Sequence, residues 1–368
     1  MFLINSSSFR DFNEFYATLP PGLEDVAAKE MEELGFKVFE FRKGRGRIFF
    51  RGKDAEKLNC YGRTIERVVA LLACERFNSL DDIYKIVRAL DFCFIKPDQS
   101  FAVRAMRAGE HDFTSIDVAR VAGQAVIDSY LASKNVRLAV NLSEPDVIIR
   151  VDVVFDTVMV GIDLTGDVGL HRRFYRVYNH PAPLNATIAA ALVKLSGWDE
   201  DETLLDPMCG SGTILIEAAM QTHNIPICPT TSSAYTSPST IHCPTIFGLE
   251  ISRKHLRGCK SNATAAGVSF DVVQGDATRP PFRKSFDVVI TNPPYGLRIG
   301  RKRVIDRLYS RFLEALFDVT HENSKIVIIT AETEILKKHA RKYKILEERM
   351  VKYGGLLTSV FVMAHDNR

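Results

Sequence analysis

The chain has 368 residues, 48 Lys and Arg against 45 Asp and Glu, and a formal net charge of +3; 46% of residues are apolar and 25% charged. Those values suit a globular protein of two or three folded units, and the near-balanced charge does not by itself announce a nucleic-acid binder. No apolar run approaches the roughly eighteen residues of a membrane span, and Phe2-Leu3-Ile4 lacks a basic leader and is too short for a signal peptide, so a cytoplasmic location is expected.

In chain order, residues 1 to about 64 read as strand, helix and strand. Glu24 to Leu34 is a helix closed by Gly35, and Lys37 to Phe41 and Arg47 to Arg51 alternate as a hairpin would. From Arg63 to about Thr165 the pattern predicts a helix, a short amphipathic helix at Leu80 to Ala89, the strand Ser100 to Met106 and a helix at Thr114 to Ser133. Strands follow at Arg137 to Leu142, Asp146 to Phe155 and Thr157 to Leu164. Gly166 to Pro183, rich in Gly, Pro and Arg, reads as a linker. Asn185 can then cap the apolar helix Ala186 to Leu195, which Gly197 ends.

The remainder alternates strand and helix as a doubly wound parallel sheet should. Leu204-Leu205-Asp206-Pro207-Met208-Cys209-Gly210-Ser211-Gly212-Thr213 is a buried strand, a glycine turn and the start of a helix that continues to Glu217. Gly210 and Gly212 let the backbone approach a ligand at the carboxyl end of a strand, where open α/β sheets bind nucleotides. A phosphate site would want a third glycine where Leu215 stands and no acid at its mouth. Asp206 instead suits a cationic ligand such as S-adenosylmethionine, which carries a sulfonium and an amino group and no phosphate. Glu250, at the tip of the next strand, can accept two ribose hydroxyls; Asp276, beside Ala277 after the strand Phe270 to Gly275, can accept the adenine amino group.

After Phe286 to Ile290 comes Thr291-Asn292-Pro293-Pro294-Tyr295-Gly296. An amino group conjugated to a ring is a poor nucleophile. The Asn292 side-chain oxygen and the Pro293 carbonyl can hold its two N–H donors and turn its lone pair toward an electrophile, while Tyr295 offers a face for a planar base. A helix at Val304 to Val319, the strand Lys325 to Thr330, a further helix and the pair Lys344 to Lys352 and Leu356 to Met363 complete the sheet. Gly354-Gly355 favours a reversed hairpin there.

Three basic clusters stand out. Arg42, Lys43, Arg45, Arg47, Arg51 and Lys53 surround two aromatics; Arg172, Arg173 and Arg176 flank Phe174 and Tyr175; Arg298, Arg301, Lys302, Arg303 and Arg307 follow the Asn-Pro-Pro-Tyr segment. Together they favour a phosphate-backbone partner, although any one cluster can be a solvated face. Gln221 to Cys243 is a Ser/Thr/Pro-rich insertion that reads as an exposed loop. Its His223, Cys228, His242 and Cys243 match no standard zinc spacing, so no metal is expected. Seven cysteines in no paired spacing predict reduced thiols and no disulfide framework. Cys209 sits inside the glycine turn and no cysteine accompanies Asn292 to Tyr295, which argues against thiol-based cytosine methylation.

Asp206 to Glu217, Glu250, Gly275-Asp276 and Asn292 to Gly296 resemble the successive motifs of class I S-adenosylmethionine-dependent amino-methyltransferases. With Leu19-Pro20-Pro21-Gly22-Leu23-Glu24 and Gly169 to Arg176, nearly the whole chain resembles the guanine-N2 RNA methyltransferases that carry an N-terminal THUMP domain. The resemblance implies a ferredoxin-like domain over 1–64, an α+β THUMP domain over 65–165, a basic linker over 166–185 and, over 186–368, a Rossmann-like domain with a seven-stranded, mostly parallel sheet. It implies S-adenosylmethionine bound by Asp206, Pro207, Cys209, Gly210, Ser211, Gly212, Thr213, Glu250, Asp276, Ala277 and Asn292. The implied catalytic residues are Asn292, Pro293 and Tyr295, and the RNA contacts Arg45, Arg47, Arg172, Arg173, Arg176, Arg298, Arg301, Lys302 and Arg303. A monomer is expected to form N2-methylguanosine at position 6 of tRNA, with the THUMP domain holding the 3′ end and the target base flipped out of its stem. Guanine-10 of tRNA and 23S rRNA are alternative targets. Adenine-N6 DNA and glutamine-N5 protein methyltransferases also use Asn-Pro-Pro-Tyr, and a non-catalytic THUMP protein that binds RNA is the alternative outside enzymology.

Overall fold

The alternating segments Phe15–Thr18 (β1), Lys37–Phe41 (β2) and Arg47–Arg51 (β3) pair as antiparallel strands in the computed structural model, which describes residues 13–228, 240–283, 285–296 and 302–366. Two units emerge, neither continuous in sequence. Among the described residues, one holds 13–18, Met31–Asn59 and Arg67–Gly169; the other holds Leu19–Glu30, Cys60–Glu66 and those from Leu170 onward. The helices α1 (Glu24–Glu33) and α2 (Leu58–Tyr61) lie at the changes between them.

In the first unit a single eight-stranded sheet runs β2-β3-β1-β4-β8-β7-β5-β6, with β4 at Arg67–Arg76, β5 at Ser100–Ala108, β6 at Ala139–Val140, β7 at Val147–Val154 and β8 at Thr157–Asp163. The helix expected from Arg63 is a correction: Arg67 to Arg76 is strand β4, hydrogen-bonded between β1 and β8. Val68, Val69 and Ala70 are all fully buried, so both strand faces are apolar and the alternation that marks a strand disappears. Helices α3 (Leu80–Arg88) and α4 (Ser115–Lys134) begin where the local chemistry dictates, each with a reciprocal capping box, Ser79 with Asp82 and Thr114 with Asp117.

In the second unit a seven-stranded sheet runs β11-β10-β9-β12-β13-β15-β14. Its strands are β9 (Leu204–Asp206), β10 (Ile241–Glu250), β11 (Val268–Gln274), β12 (Phe286–Thr291), β13 (Thr320–Thr330), β14 (Tyr343–Tyr353) and β15 (Leu356–His365). The pairs from β11 to β13 are parallel, and β15 is antiparallel to both neighbours, the reversed hairpin that Gly354-Gly355 predicts. Helices α5 (Ala186–Ser196), α6 (Thr213–Thr222), α7 (Arg253–Ala265), α8 (Lys302–Asp318) and α9 (Thr333–His339) connect them. On α8, Ile305, Tyr309, Phe312, Leu313 and Leu316 recur at helical spacing and are buried with Ile326, Ile328 and Phe361. Each such side chain stabilises the fold by roughly 1.5–3 kcal/mol. Strand order reverses at β9, between β10 and β12, and that crevice is where a doubly wound sheet binds its ligand.

Leu19 to Glu24 has a structural task in this unit. Pro21 accepts the Lys352 N–H at 3.1 Å, and the Arg349 guanidinium of edge strand β14 pairs with Asp25. Gly22 has φ 103°, and a Cβ there would lie 2.0 Å from the Met350 carbonyl oxygen, so no other residue fits. The expectation of reduced thiols alone is corrected by a Cys60–Cys228 disulfide, Cα–Cα 4.9 Å, beside an Ile227 N–H bond to the Cys60 carbonyl. Its partners stand 168 residues apart, a pairing that spacing cannot show. No helix among the described residues is long and apolar enough to cross a membrane.

Candidate active site

Asp206 ends the three-residue strand β9 and is 2% exposed. Its Oδ1 accepts the Met208 N–H at 3.1 Å and the Thr291 hydroxyl at 2.8 Å. Burial pushes its carboxyl up to about 7; the two hydrogen bonds act the other way and the nearby Glu250 adds to the rise.

The turn after it is shaped by glycine. Gly210 (φ 53°) and Gly212 (φ 81°) occupy left-handed conformations, and a Cβ on Gly212 would lie 2.5 Å from the Cys259 sulfur. Gly212 is the N-cap of α6 and supplies no side-chain cap. Glu250 ends β10, receiving the Gly210 N–H on Oε2 at 3.0 Å and the Ser252 N–H on Oε1 at 2.7 Å. A carboxylate has about four lone-pair sites, so each oxygen retains capacity for a ribose hydroxyl. Gly275 donates to the Glu250 carbonyl, which aligns the end of β11 with that of β10. Asp276 is exposed there and folds back to accept the Thr278 N–H.

Other members of the motif build walls. Pro207, Ser211 and Thr213 are buried, and Ala277 joins the core with Leu205, Leu249 and Phe286. The Cys209 thiol is buried against Cys259, and that hydrogen bond, then burial, hold it well above the ordinary thiol range, the reverse of what a nucleophile needs.

Strand β12 delivers Thr291 to Asp206 and then Asn292, half-buried, with Pro293 buried behind it. Tyr295 donates its hydroxyl to the Asn292 side-chain oxygen. A carbonyl oxygen has two lone pairs, so this bond orients the amide and leaves one acceptor site open. Gly296 (φ 65°) closes the segment; a Cβ there would meet Ile305 of α8 at 2.4 Å.

The basic residues separate by environment. Arg172, Lys302 and Arg303 are exposed, and the half-buried Arg45 lays its guanidinium 3.8 Å over the Phe155 ring. Arg298 and Arg301 lie outside the described residues. Two assignments are corrected. Arg47 is buried in an ion pair with Asp152 at 2.6 Å, and Arg173 is buried with its Nε 2.9 Å from Glu217, which also accepts the Tyr175 hydroxyl. Neither guanidinium faces solvent, because the carboxylate that neutralises it is itself fully buried. Arg176 is half-buried and donates to the Leu184 carbonyl.

Sequence reading missed a strap over the glycine turn, in the segment taken for a linker. The Tyr178 N–H donates to Asn262 Oδ1 at 2.7 Å, and Asn262 Nδ2 donates to the Tyr178 and Ser211 carbonyls at 3.3 and 3.2 Å. The Tyr178 hydroxyl meets His255 Nδ1 at 2.8 Å, and the His180 and His255 rings lie 4.2 Å apart. No sequence signal marked it: Asn262 is one polar residue among several in α7, and only its burial in the fold sets it apart.

Comparison with known proteins agrees with this geometry. The RMKL-like methyltransferase domain family matches residues 173–359, the THUMP domain 77–163 and the RlmL ferredoxin-like domain 14–69. The chain is 51% identical to a tRNA (guanine(6)-N2)-methyltransferase of Archaeoglobus fulgidus, covering 95% of this chain and 91% of that one. It is 47% identical to the Methanocaldococcus jannaschii protein of the same description, over 95% and 99%. The crystal structure of TrmN from Thermus thermophilus matches with TM-score 0.74 at 28% identity, covering 96% of this chain and 99% of that one. The chain therefore belongs to the family of THUMP-containing, S-adenosylmethionine-dependent class I RNA guanine-N2 methyltransferases.

Proposed function

We propose that the protein transfers a methyl group to the exocyclic N2 of guanine 6 in tRNA, forming N2-methylguanosine. The observation that carries the mechanism is the Thr291–Asp206 hydrogen bond, which joins the strand bearing Asn292 and Pro293 to the strand bearing the cofactor turn. S-adenosylmethionine, when bound, supplies an electrophilic methyl; Asp206, the Gly210–Gly212 turn, Glu250 and Asp276 are the residues that fit it. The buried Asp206 carboxylate, once ionised, is a partner for its cationic end, and the left-handed backbone at Gly210 and Gly212 shapes the turn that approaches it.

Asn292 Oδ1 and the Pro293 carbonyl take the two N–H groups of the target amine and direct its lone pair toward the methyl carbon. The donor would supply its methyl carbon to that nitrogen, with the carbon–sulfur electron pair left on sulfur, and the amine would release one proton to solvent. Positioning supplies most of the effect and no strong general base is needed. The Tyr295 hydroxyl keeps the Asn292 oxygen turned to the site. Arg172, Lys302 and Arg303 are exposed cations for the RNA backbone. The two archaeal relatives, named for guanine 6 of tRNA, support that position.

The test is incubation with labelled S-adenosylmethionine and unmodified tRNA transcripts, followed by nucleoside analysis. Label in N2-methylguanosine that disappears when guanine 6 is replaced is expected. Label that survives replacement moves the target, and label that appears only with 23S rRNA overturns the tRNA reading.

A further inference from the structure

The charged groups that the four motifs present, Asp206, Glu250 and Asp276, are all carboxylates. They suit the sulfonium, ammonium and hydroxyls of S-adenosylmethionine, yet its amino-acid end also carries a carboxylate, which three acids would repel. The strap supplies what they lack.

His180 is half-buried, with its ring tip over Gly210: a Cβ on Gly210 would lie 3.7 Å from Nε2, 3.8 Å from Cδ2 and 3.9 Å from Cε1. The Ala182 N–H donates to His180 Nδ1 at 3.1 Å. In a neutral imidazole one nitrogen accepts and the other carries the proton, so Nε2 is the donor. The ring is fixed as well as polarised. Tyr178 and Asn262 tie the strap to α7 and, through the Ser211 carbonyl, to the glycine turn itself. A Cβ on Gly258 would stand 2.1 Å from the Tyr178 ring, so α7 receives that ring in direct contact. Burial, and then the neighbouring His255, hold His180 below the ordinary histidine range, which keeps the donor neutral and its tautomer defined.

We propose that His180 is a cofactor-binding residue whose Nε2–H, held over Gly210, donates to the amino-acid carboxylate of S-adenosylmethionine. The proposal rests on the assignment of Asp206 to Thr213 as the cofactor turn and adds to it a group from outside the four motifs. Asp206 then serves the cationic end, and His180 selects ligands that retain the carboxylate.

The test is calorimetric binding of S-adenosylmethionine and of decarboxylated S-adenosylmethionine to the full chain, its His180→Ala variant and its His180→Gln variant. The wild-type protein should prefer the carboxylate-bearing ligand. His180→Ala should weaken that ligand roughly ten- to a hundredfold, the range for a hydrogen bond to a charged group, with little effect on the decarboxylated one. His180→Gln, which keeps an N–H near the same place, should recover part of the preference, and affinity for tRNA should not move. Equal weakening of both ligands, or no weakening, overturns the proposal and leaves the cofactor turn standing; a wild-type chain that binds neither ligand removes the turn and the proposal together. Should His180→Ala fail to fold, the wild-type His180 ring NMR signal decides: it must shift with S-adenosylmethionine and not with the decarboxylated ligand.

Discussion

The Thr291 hydroxyl donates to Asp206 Oδ1 across 2.8 Å inside the sheet, where both residues are buried. Thr291 immediately precedes Asn292, so the acid before the glycine turn and the Asn-Pro-Pro-Tyr segment share one hydrogen-bonded link. In the proposed mechanism methyl donor and acceptor meet at the ends of these neighbouring strands, which rigid backbone sets more closely than a loop would.

Removing the Asn292 side chain should abolish transfer while sparing the cofactor. Asn292→Ala is expected to lower kcat roughly a hundredfold or more, by analogy with the loss of one preorganised polar group at a reacting centre, with cofactor affinity nearly unchanged. Single-turnover transfer and calorimetry read the two quantities. Unchanged turnover sinks the assignment.

Cofactor affinity should depend on pH through Asp206. Its carboxyl, ordinarily at 3.8, is raised to about 7. A cationic ligand prefers the ionised form, so binding should strengthen as pH rises through about 7, and Asp206→Asn should flatten that rise. Folding stability runs the other way. Between the two values the unfolded chain binds fewer protons than the folded one, so the Asp206 contribution, complete at low pH, falls as pH rises and is lost above about 7. A binding profile flat across neutrality would remove Asp206 from the site.

Arg172 and Arg173 are adjacent and should behave as opposites. Arg173→Ala leaves Glu217 buried without its main partner and should destabilise the second unit by about 3–5 kcal/mol. Arg172→Ala should leave stability within about 0.5 kcal/mol and lower the slope of RNA affinity against salt by about one contact. Urea unfolding and RNA titration at several salt concentrations check both; a stable Arg173→Ala variant with weakened RNA binding would restore the surface reading of that residue.

The Cys60–Cys228 bridge should stabilise the second unit. Closing a loop of this length contributes about 2–5 kcal/mol, largely by restricting the unfolded chain. Reducing agent should lower the unfolding midpoint of the wild-type protein and leave Cys60→Ser unaffected. Equal midpoints with and without reductant would show that the bridge contributes nothing.

What the sequence determined by itself was local. Gly210 and Gly212 announce a turn because no other residue adopts its backbone conformation cheaply; Asn292 to Tyr295 closes on itself through a hydroxyl and an amide three residues apart; Ser79 and Thr114 start helices through partners three positions away. Such requirements are met by neighbours in the chain, so they are written as motifs. Tertiary structure decided the rest. Arg47 and Arg173 look like any surface arginine until Asp152 and Glu217 arrive from 105 and 44 residues away. Arg67 to Arg76 is a strand because β1 and β8 cover it, and His180 reaches Gly210 only because α7 holds its strap. Burial, charge pairing and the aim of a side chain depend on which distant segments meet, and one-dimensional spacing carries no record of that meeting.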